Sequence, residues 1–156
     1  MIEVAIPGRG NYRLEHLVLD LNGTIALDGE VIPGVRERLA RLANLLTVSV
    51  VTADTHGNAA SLKDDLQASL HRIQPGGEDA QKLTLVTRLG ADRTVAIGNG
   101  ANDVSMLKES AIGICVLGGE GAAAQAITAA DIVAPDINSA LDLLLKPDRL
   151  VATLRR

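Results

Sequence analysis

The chain has 156 residues, a formal net charge of −4 and a hydrophobic fraction of 47%, with one tyrosine and neither phenylalanine nor tryptophan. A chain of this length buries about two thirds of its unfolded surface, enough for a single domain, residues 1–156, around an aliphatic core. An acidic balance does not neutralise a nucleic-acid backbone, and a chain this poor in aromatic faces has little on which to stack bases or cage a quaternary ammonium.

The pattern along the chain alternates strand and helix almost throughout. Ile2 to Ile6 reads as a strand, Pro7-Gly8-Arg9-Gly10-Asn11 as a turn, and Tyr12 to Asp20 as a returning strand, together an N-terminal hairpin. Pro33 opens a helix with an apolar stripe of Val35, Leu39, Leu42 and Ala43, and Leu46 to Val51 is an apolar strand. A helix starting at Thr55 or Asn58 carries Leu62 and Leu66, and His71 to Ile73 is a short strand. Glu78 to Leu89 is a helix, Thr94 to Ile97 a strand and Asn102 to Glu109 a helix. Ile112 to Leu117 is a strand, Ala122 to Ala130 a helix and Asp131 to Ala134 a last strand. Asp136 or Asn138 caps a final helix through Leu145, which Pro147 breaks.

Short apolar strands between amphipathic helices predict an α/β fold, a mostly parallel sheet covered on both faces. Right-handed crossovers then put the C-terminal ends of the parallel strands on one edge, where ligands of such folds bind. Reading only those ends collects Asp20-Leu21-Asn22-Gly23-Thr24, then Thr52-Ala53-Asp54, then Lys82 in the helix after Pro75-Gly76-Gly77, then Gly98-Asn99-Gly100-Ala101-Asn102-Asp103. A carboxylate can attack phosphorus, a hydroxyl and an ammonium can hold the phosphoryl oxygens, and a second carboxylate can help to hold Mg²⁺. Gly98 and Gly100 permit a tight turn beside such an ion.

These residues resemble the haloacid dehalogenase-like superfamily, with its Asp-x-Asp-Gly-Thr, Ser/Thr, Lys and Gly-Asp-Gly-x-Asn-Asp motifs in that order. The likeness runs over nearly the whole chain and is nearest to the phosphorylation domain of P-type ATPases. The Pro75 to Val86 stretch, Ala111-Ile112-Gly113-Ile114, the Gly118-Gly119-Glu120-Gly121 loop and Ala129-Ala130-Asp131-Ile132-Val133 are similar to later segments of that domain. The resemblance implies a three-layer Rossmann-like fold and a Mg²⁺-dependent phosphohydrolase or phosphotransferase working through an aspartyl-phosphate. It makes Asp20 the nucleophile and a metal ligand, the Asn22 backbone carbonyl a further ligand, and Asn99 and Asp103 the remaining metal positions. Thr52, Ala53 and Lys82 then bind the phosphoryl group, Asn102 is a phosphate or loop contact, and Thr24 steadies the loop after Asp20.

Two departures stand out. Asn22 occupies the place of the aspartate that protonates the leaving group and activates water in the family's phosphatases. An amide has no such proton, which predicts slow hydrolysis and an accumulating phosphoenzyme. Asn99 replaces a metal-binding aspartate, which predicts weaker Mg²⁺ binding that Asn99→Asp would restore. A catalytically impaired module that keeps the phosphate and Mg²⁺ site is the alternative reading. Gly119-Glu120-Gly121-Ala122-Ala123-Ala124 also fits a dinucleotide-binding turn, but late in the chain. A phosphoacceptor receiver domain shares Asp, Thr and Lys, but has no counterpart to the Gly98–Asp103 loop.

The intervals between Thr24 and Thr52 and between Thr52 and Lys82 are too short for a cap domain of about 50 residues. An uncovered edge suits a large phosphorylated substrate, or a second copy of the chain as lid. His16 and His71 fall at strand positions, and His56 and Asp54 in the loop after Thr52, with helix capping favoured for Asp54. Asp28 and Glu30 read as loop charges or as the rim of the entrance. Cys115, the single cysteine, lies between Ile114 and Val116 as a buried strand thiol and fits a reducing compartment. Met1-Ile2-Glu3-Val4 lacks the features of a signal peptide, and no stretch approaches about 20 apolar residues. The expectation is a cytoplasmic protein with no membrane or nucleic-acid partner.

Overall fold

A computed structural model describes residues 1–53 and 65–156. The expected roles of Asp54 and His56 and the helix start at Thr55 or Asn58, with Leu62, lie outside the described residues. The first strands are β1 (Ile2–Ile6), β2 (Gly10–Leu14) and β3 (His16–Asp20). A small hairpin, β4 (Ala26–Leu27) and β5 (Glu30–Val31), leads to α1 (Val35–Leu42) and β6 (Thr47–Thr52). Next come β7 (Ser69–Arg72), α2 (Glu78–Leu89), β8 (Thr94–Gly98), α3 (Val104–Glu109) and β9 (Ile112–Val116). The chain closes with α4 (Ala124–Ala129), β10 (Ile132–Ala134), α5 (Ile137–Leu145) and α6 (Pro147–Leu154).

The central sheet has the order β10-β9-β8-β3-β6-β7, and every neighbouring pair in it is parallel. This is the α/β architecture that the alternating pattern predicts. Its strands are buried on both faces, so they read as aliphatic runs. Leu17, Leu19, Val48, Val50, Val95 and Ile97 belong to one core with α1, α5 and α6. Val18, Val51, Ala96 and Cys115 belong to a second core with Leu85 and Val86 of α2, Met106 and Leu107 of α3, and Ala126 of α4. Alternation along β3 therefore turns Asp20, two residues after Val18, toward the face that α2 covers.

Four local features differ from the sequence reading. The expected strand Tyr12–Asp20 is two strands in two sheets: β2 pairs antiparallel with β1, and β3 enters the parallel sheet. Glu15 is the joint, donating its N–H to the Arg93 carbonyl and accepting from Thr47 N–H, both at 2.9 Å. Both halves are extended, so a period of two carries no mark of the change of partner. The hairpin β4–β5 was not expected, although Asp28-Gly29 is a strong two-residue turn signal. Both residues have positive φ, 51° and 83°, as a turn with mirror-image geometry requires. The predicted helix from Asn102 begins as a short 3-10 turn, Ala101–Asp103, before α3. Pro147 does end α5, but it also opens α6, where its missing N–H costs no helix bond.

Gly113 on β9 lets α3 lie directly against the sheet. A Cβ there would strike the Leu107 carbonyl, whose carbon would be 2.8 Å away. Backbone cannot swing aside as a side chain can, so Gly113→Ala is expected to lower stability by about 1–3 kcal/mol. Denaturant unfolding, read as a lower midpoint at unchanged slope, checks this.

Candidate functional site

The strand order reverses at β3: the chain passes to β6 and β7 on one side and returns to β8, β9 and β10 on the other. At such a switch point the neighbouring loops part and leave a crevice beyond the strand ends. Asp20 closes β3, Thr52 closes β6, and the Asn99–Asp103 loop follows β8. A cavity of about 250 Å³ lies there, lined by Asp20, Asn22, Ala53, Ile73, Lys82, Asn99, Gly100, Asn102 and Glu120. Thr52 is buried just beneath, its carbonyl accepting from Ile73 N–H at 3.0 Å.

Lys82, only 1% exposed, is the hub. Its ammonium donates to Asp20 Oδ1 at 2.9 Å, Asp103 Oδ1 at 2.6 Å and Asn102 Oδ1 at 3.2 Å, which uses all three of its protons. Burial works against the ammonium, but Asp20 and Asp103 outweigh it and raise its pKa. Burial, and then the charge of Asp103, push the Asp20 carboxyl up to about 6 against the pull of Lys82 and Thr24. The Thr24 hydroxyl lies 3.4 Å from Asp20 Oδ2 and 3.1 Å from Asn99 Oδ1, so it bridges the first and last loops.

Asp103 is fully buried, and both of its oxygens face protein donors. Oδ1 takes Lys82, while Oδ2 accepts the backbone N–H groups of Asn99 at 3.0 Å and Gly100 at 2.9 Å. Asp103 lies behind the cavity lining rather than in it. Gly98 is required here for space: a Cβ would stand 2.5 Å from Asp103 Cγ. Asn99 is held on both sides, its Nδ2 donating to the Gly121 carbonyl at 3.1 Å. Asn22 is exposed at the cavity mouth.

Three contributors were not expected from sequence. Asp79, in the first turn of α2, accepts from Ser105 N–H at 2.9 Å and from Ser105 Oγ at 2.5 Å, so it ties α2 to α3 and sets Lys82 against Asp103. Ile73 forms part of the wall, and Glu120 reaches in from the loop after β9. Nothing local in the sequence marks Asp79 or Ile73, and the loop that holds Glu120 stood out there only as a motif, because each of the three matters through a distant partner. The remaining candidates have local roles. His71 Nε2 lies 3.2 Å from Ser49 Oγ, and burial raises the Cys115 thiol, so that it stays protonated at neutral pH.

Among the described residues no three His, Cys, Asp or Glu side chains are already gathered as a metal cage, and no helix is long and apolar enough to cross a membrane.

The model of the haloacid dehalogenase-like hydrolases matches residues 77–140, which contain Lys82 and the Gly98–Asp103 loop. An uncharacterized protein of Methanocaldococcus jannaschii is 48% identical over 88 residues, which span 54% of this chain and 95% of that protein. The ATP-binding subunit of the potassium-transporting ATPase of Pseudomonas aeruginosa is 31% identical over 136 residues, 85% of this chain but 19% of that subunit. Among solved structures, the 3-deoxy-D-manno-octulosonate 8-phosphate phosphatase of Moraxella catarrhalis, determined with magnesium and phosphate, superposes with a TM-score of 0.66 at 19% identity, covering 91% of this chain and 94% of that one. The chain has the fold of the haloacid dehalogenase-like hydrolases, and its residues 77–140 match that family.

Proposed function

We propose that this chain is a phosphate-ester hydrolase that passes the phosphoryl group first to Asp20 and then to water. The observation that carries this reading is the Asp20 carboxylate itself. It is buried at a strand end, held by Lys82 through one oxygen, and presented to a polar cavity of about 250 Å³. That volume is below the range of about 300–1,000 Å³ usual for small-molecule sites, so it suits a phosphoryl group with the rest of the substrate outside.

An Asp20 oxygen attacks phosphorus, the bond from phosphorus to the ester oxygen breaks, and the substrate leaves as an alcohol after taking a proton from water. Water then attacks the acyl-phosphate, inorganic phosphate departs and the carboxylate is restored. Lys82 offsets the charge of the phosphoryl oxygens throughout. Asn102 accepts from Lys82 through Oδ1, which leaves its NH₂ group for a phosphoryl oxygen. Thr52 and Ala53 form the β6 side of the same cradle.

Asp20, Asn22 and Asn99 line the cavity and carry hard oxygen donors. Such a set fits Mg²⁺, which needs only one or two carboxylates and keeps several waters. When bound, the ion supplies charge against the phosphoryl oxygens. Asp103 serves this site from behind, by fixing Lys82 and the Asn99–Gly100 turn.

Asn22 favours a second reading, a phosphate-binding module with little turnover. Because Asn22 is exposed, Asn22→Asp introduces an acid without burying a charge. With Mg²⁺ and a panel of phosphate esters, Asn22→Asp is expected to raise turnover at least about tenfold, toward the range of about 10²–10⁴ typical of a general acid/base. Acetyl phosphate is expected to label the wild type with a hydroxylamine-sensitive acyl-phosphate. No label and no turnover in either protein would establish the binding module instead.

A further inference from the structure

Glu120 stands in the loop between β9 and α4, which folds back onto the loop after Asp20. A Cβ on Gly23 would run into Glu120 Oε2 and would stand 2.8 Å from Asn99 Nδ2. The Glu120 carboxylate thus rests on the Gly23 backbone beside the Asn99 amide, in the cavity shared with Asp20 and Asn22. Gly23 makes this approach possible, both by lacking a side chain and by a φ of 79°.

Asn99 keeps the loop in place. Its Nδ2 donates to the Gly121 carbonyl at 3.1 Å, and its own carbonyl accepts from Ala123 N–H at 2.8 Å. An aspartate at position 99 has no side-chain N–H to give, and would set a carboxylate oxygen against the Gly121 carbonyl. The amide is therefore more than a lost charge: it clamps the loop whose next carboxylate faces the cavity. On this reading Asn99→Asp would not tighten the site, the opposite of the expectation from sequence.

We propose that Glu120 is the second carboxylate of the divalent-cation site, bringing from the β9–α4 loop the charge that Asn99 lacks, with Asn99 as its positioning residue. The proposal rests on the phosphoryl-transfer reading above. Two features of the geometry favour it. Asp103, the other nearby carboxylate, has both oxygens engaged by Lys82 and backbone N–H groups, whereas Glu120 is exposed to the cavity and has room to turn its oxygens toward a cation. Glu120 also lines the same cavity as Asp20 and Asn99.

The test is Mn²⁺ binding to the full chain, followed by the paramagnetic resonance signal of free Mn²⁺ and by calorimetry. Glu120→Gln is expected to weaken binding about 10–100-fold while leaving the metal-free melting temperature unchanged. Asn99→Asp is expected not to tighten it. Wild-type affinity in Glu120→Gln, with affinity lost in Asp20→Asn, would overturn the role of Glu120 and leave the phosphoryl-transfer site standing. Tighter binding by Asn99→Asp would overturn the positioning role of Asn99. Equal and negligible binding by wild type and Asp20→Asn would remove the cation site altogether, and this proposal with it.

Discussion

Asp20→Asn is expected to abolish phosphate-ester hydrolysis and, in the absence of metal, to make the folded chain more stable at pH 8. The loss follows from chemistry: an amide does not form the acyl-phosphate. The gain follows from electrostatics. Burial and Asp103 hold the Asp20 carboxyl at about 6, above its ordinary 3.8. The folded chain therefore binds this proton more tightly than the unfolded chain does. Stability falls as pH climbs from about 4 to about 6, and the full penalty remains above that window. Asparagine carries no charge to desolvate and still offers an oxygen to Lys82. The expected gain is on the order of 2 kcal/mol at pH 8, vanishing toward pH 4. Denaturant unfolding of both proteins at pH 4, 6 and 8 checks it. Hydrolysis that persists in Asp20→Asn would overturn the nucleophile, and a stability gain that grows toward acid pH would overturn the charge argument.

Lys82→Met is the second large effect. It keeps much of the side chain's bulk and removes the one cation between two buried carboxylates. Breaking a buried ion pair from one side leaves an uncompensated charge and costs about 3–5 kcal/mol. The loss is expected to shrink at low pH, where Asp20 takes up its proton, and to be partly relieved by Asp20→Asn in the same chain. That recovery identifies repulsion as the cause, because a packing defect at position 82 would not respond to a change at position 20. Turnover is expected to vanish in Lys82→Met even under conditions where it is fully folded, since no other described cation lines the cavity.

The elements most legible in sequence were those whose residues answer to one local rule. Glu78–Leu89 reads as a helix from its apolar face, and it is one, residue for residue. The aliphatic runs that became β6, β8 and β9 read as buried parallel strands because both faces must be covered. What failed depended on a partner elsewhere. The switch of Tyr12–Asp20 between two sheets turns on the bonds that Glu15 makes to residues 47 and 93. The β4–β5 hairpin is an exception, since Asp28-Gly29 announced it.

The candidate site divides in the same way. By itself the sequence determined which residues stand at the C-terminal ends of the strands, because strand order and right-handed crossover leave them no other edge. Asp20, Asn22, Ala53, Asn99 and Asn102 line one cavity at that edge, joined there by Lys82 from α2. Only the tertiary structure decided how each is used. It turned Asp103 inward as the anchor of Lys82 and of the Asn99–Gly100 turn, and it showed that Gly98 answers to the bulk of Asp103 rather than to a left-handed backbone. It also brought Glu120 onto Gly23 from a strand two places away in the sheet. Hydrogen-bond partners and close approaches across such distances arise from packing, and no spacing along the chain encodes them.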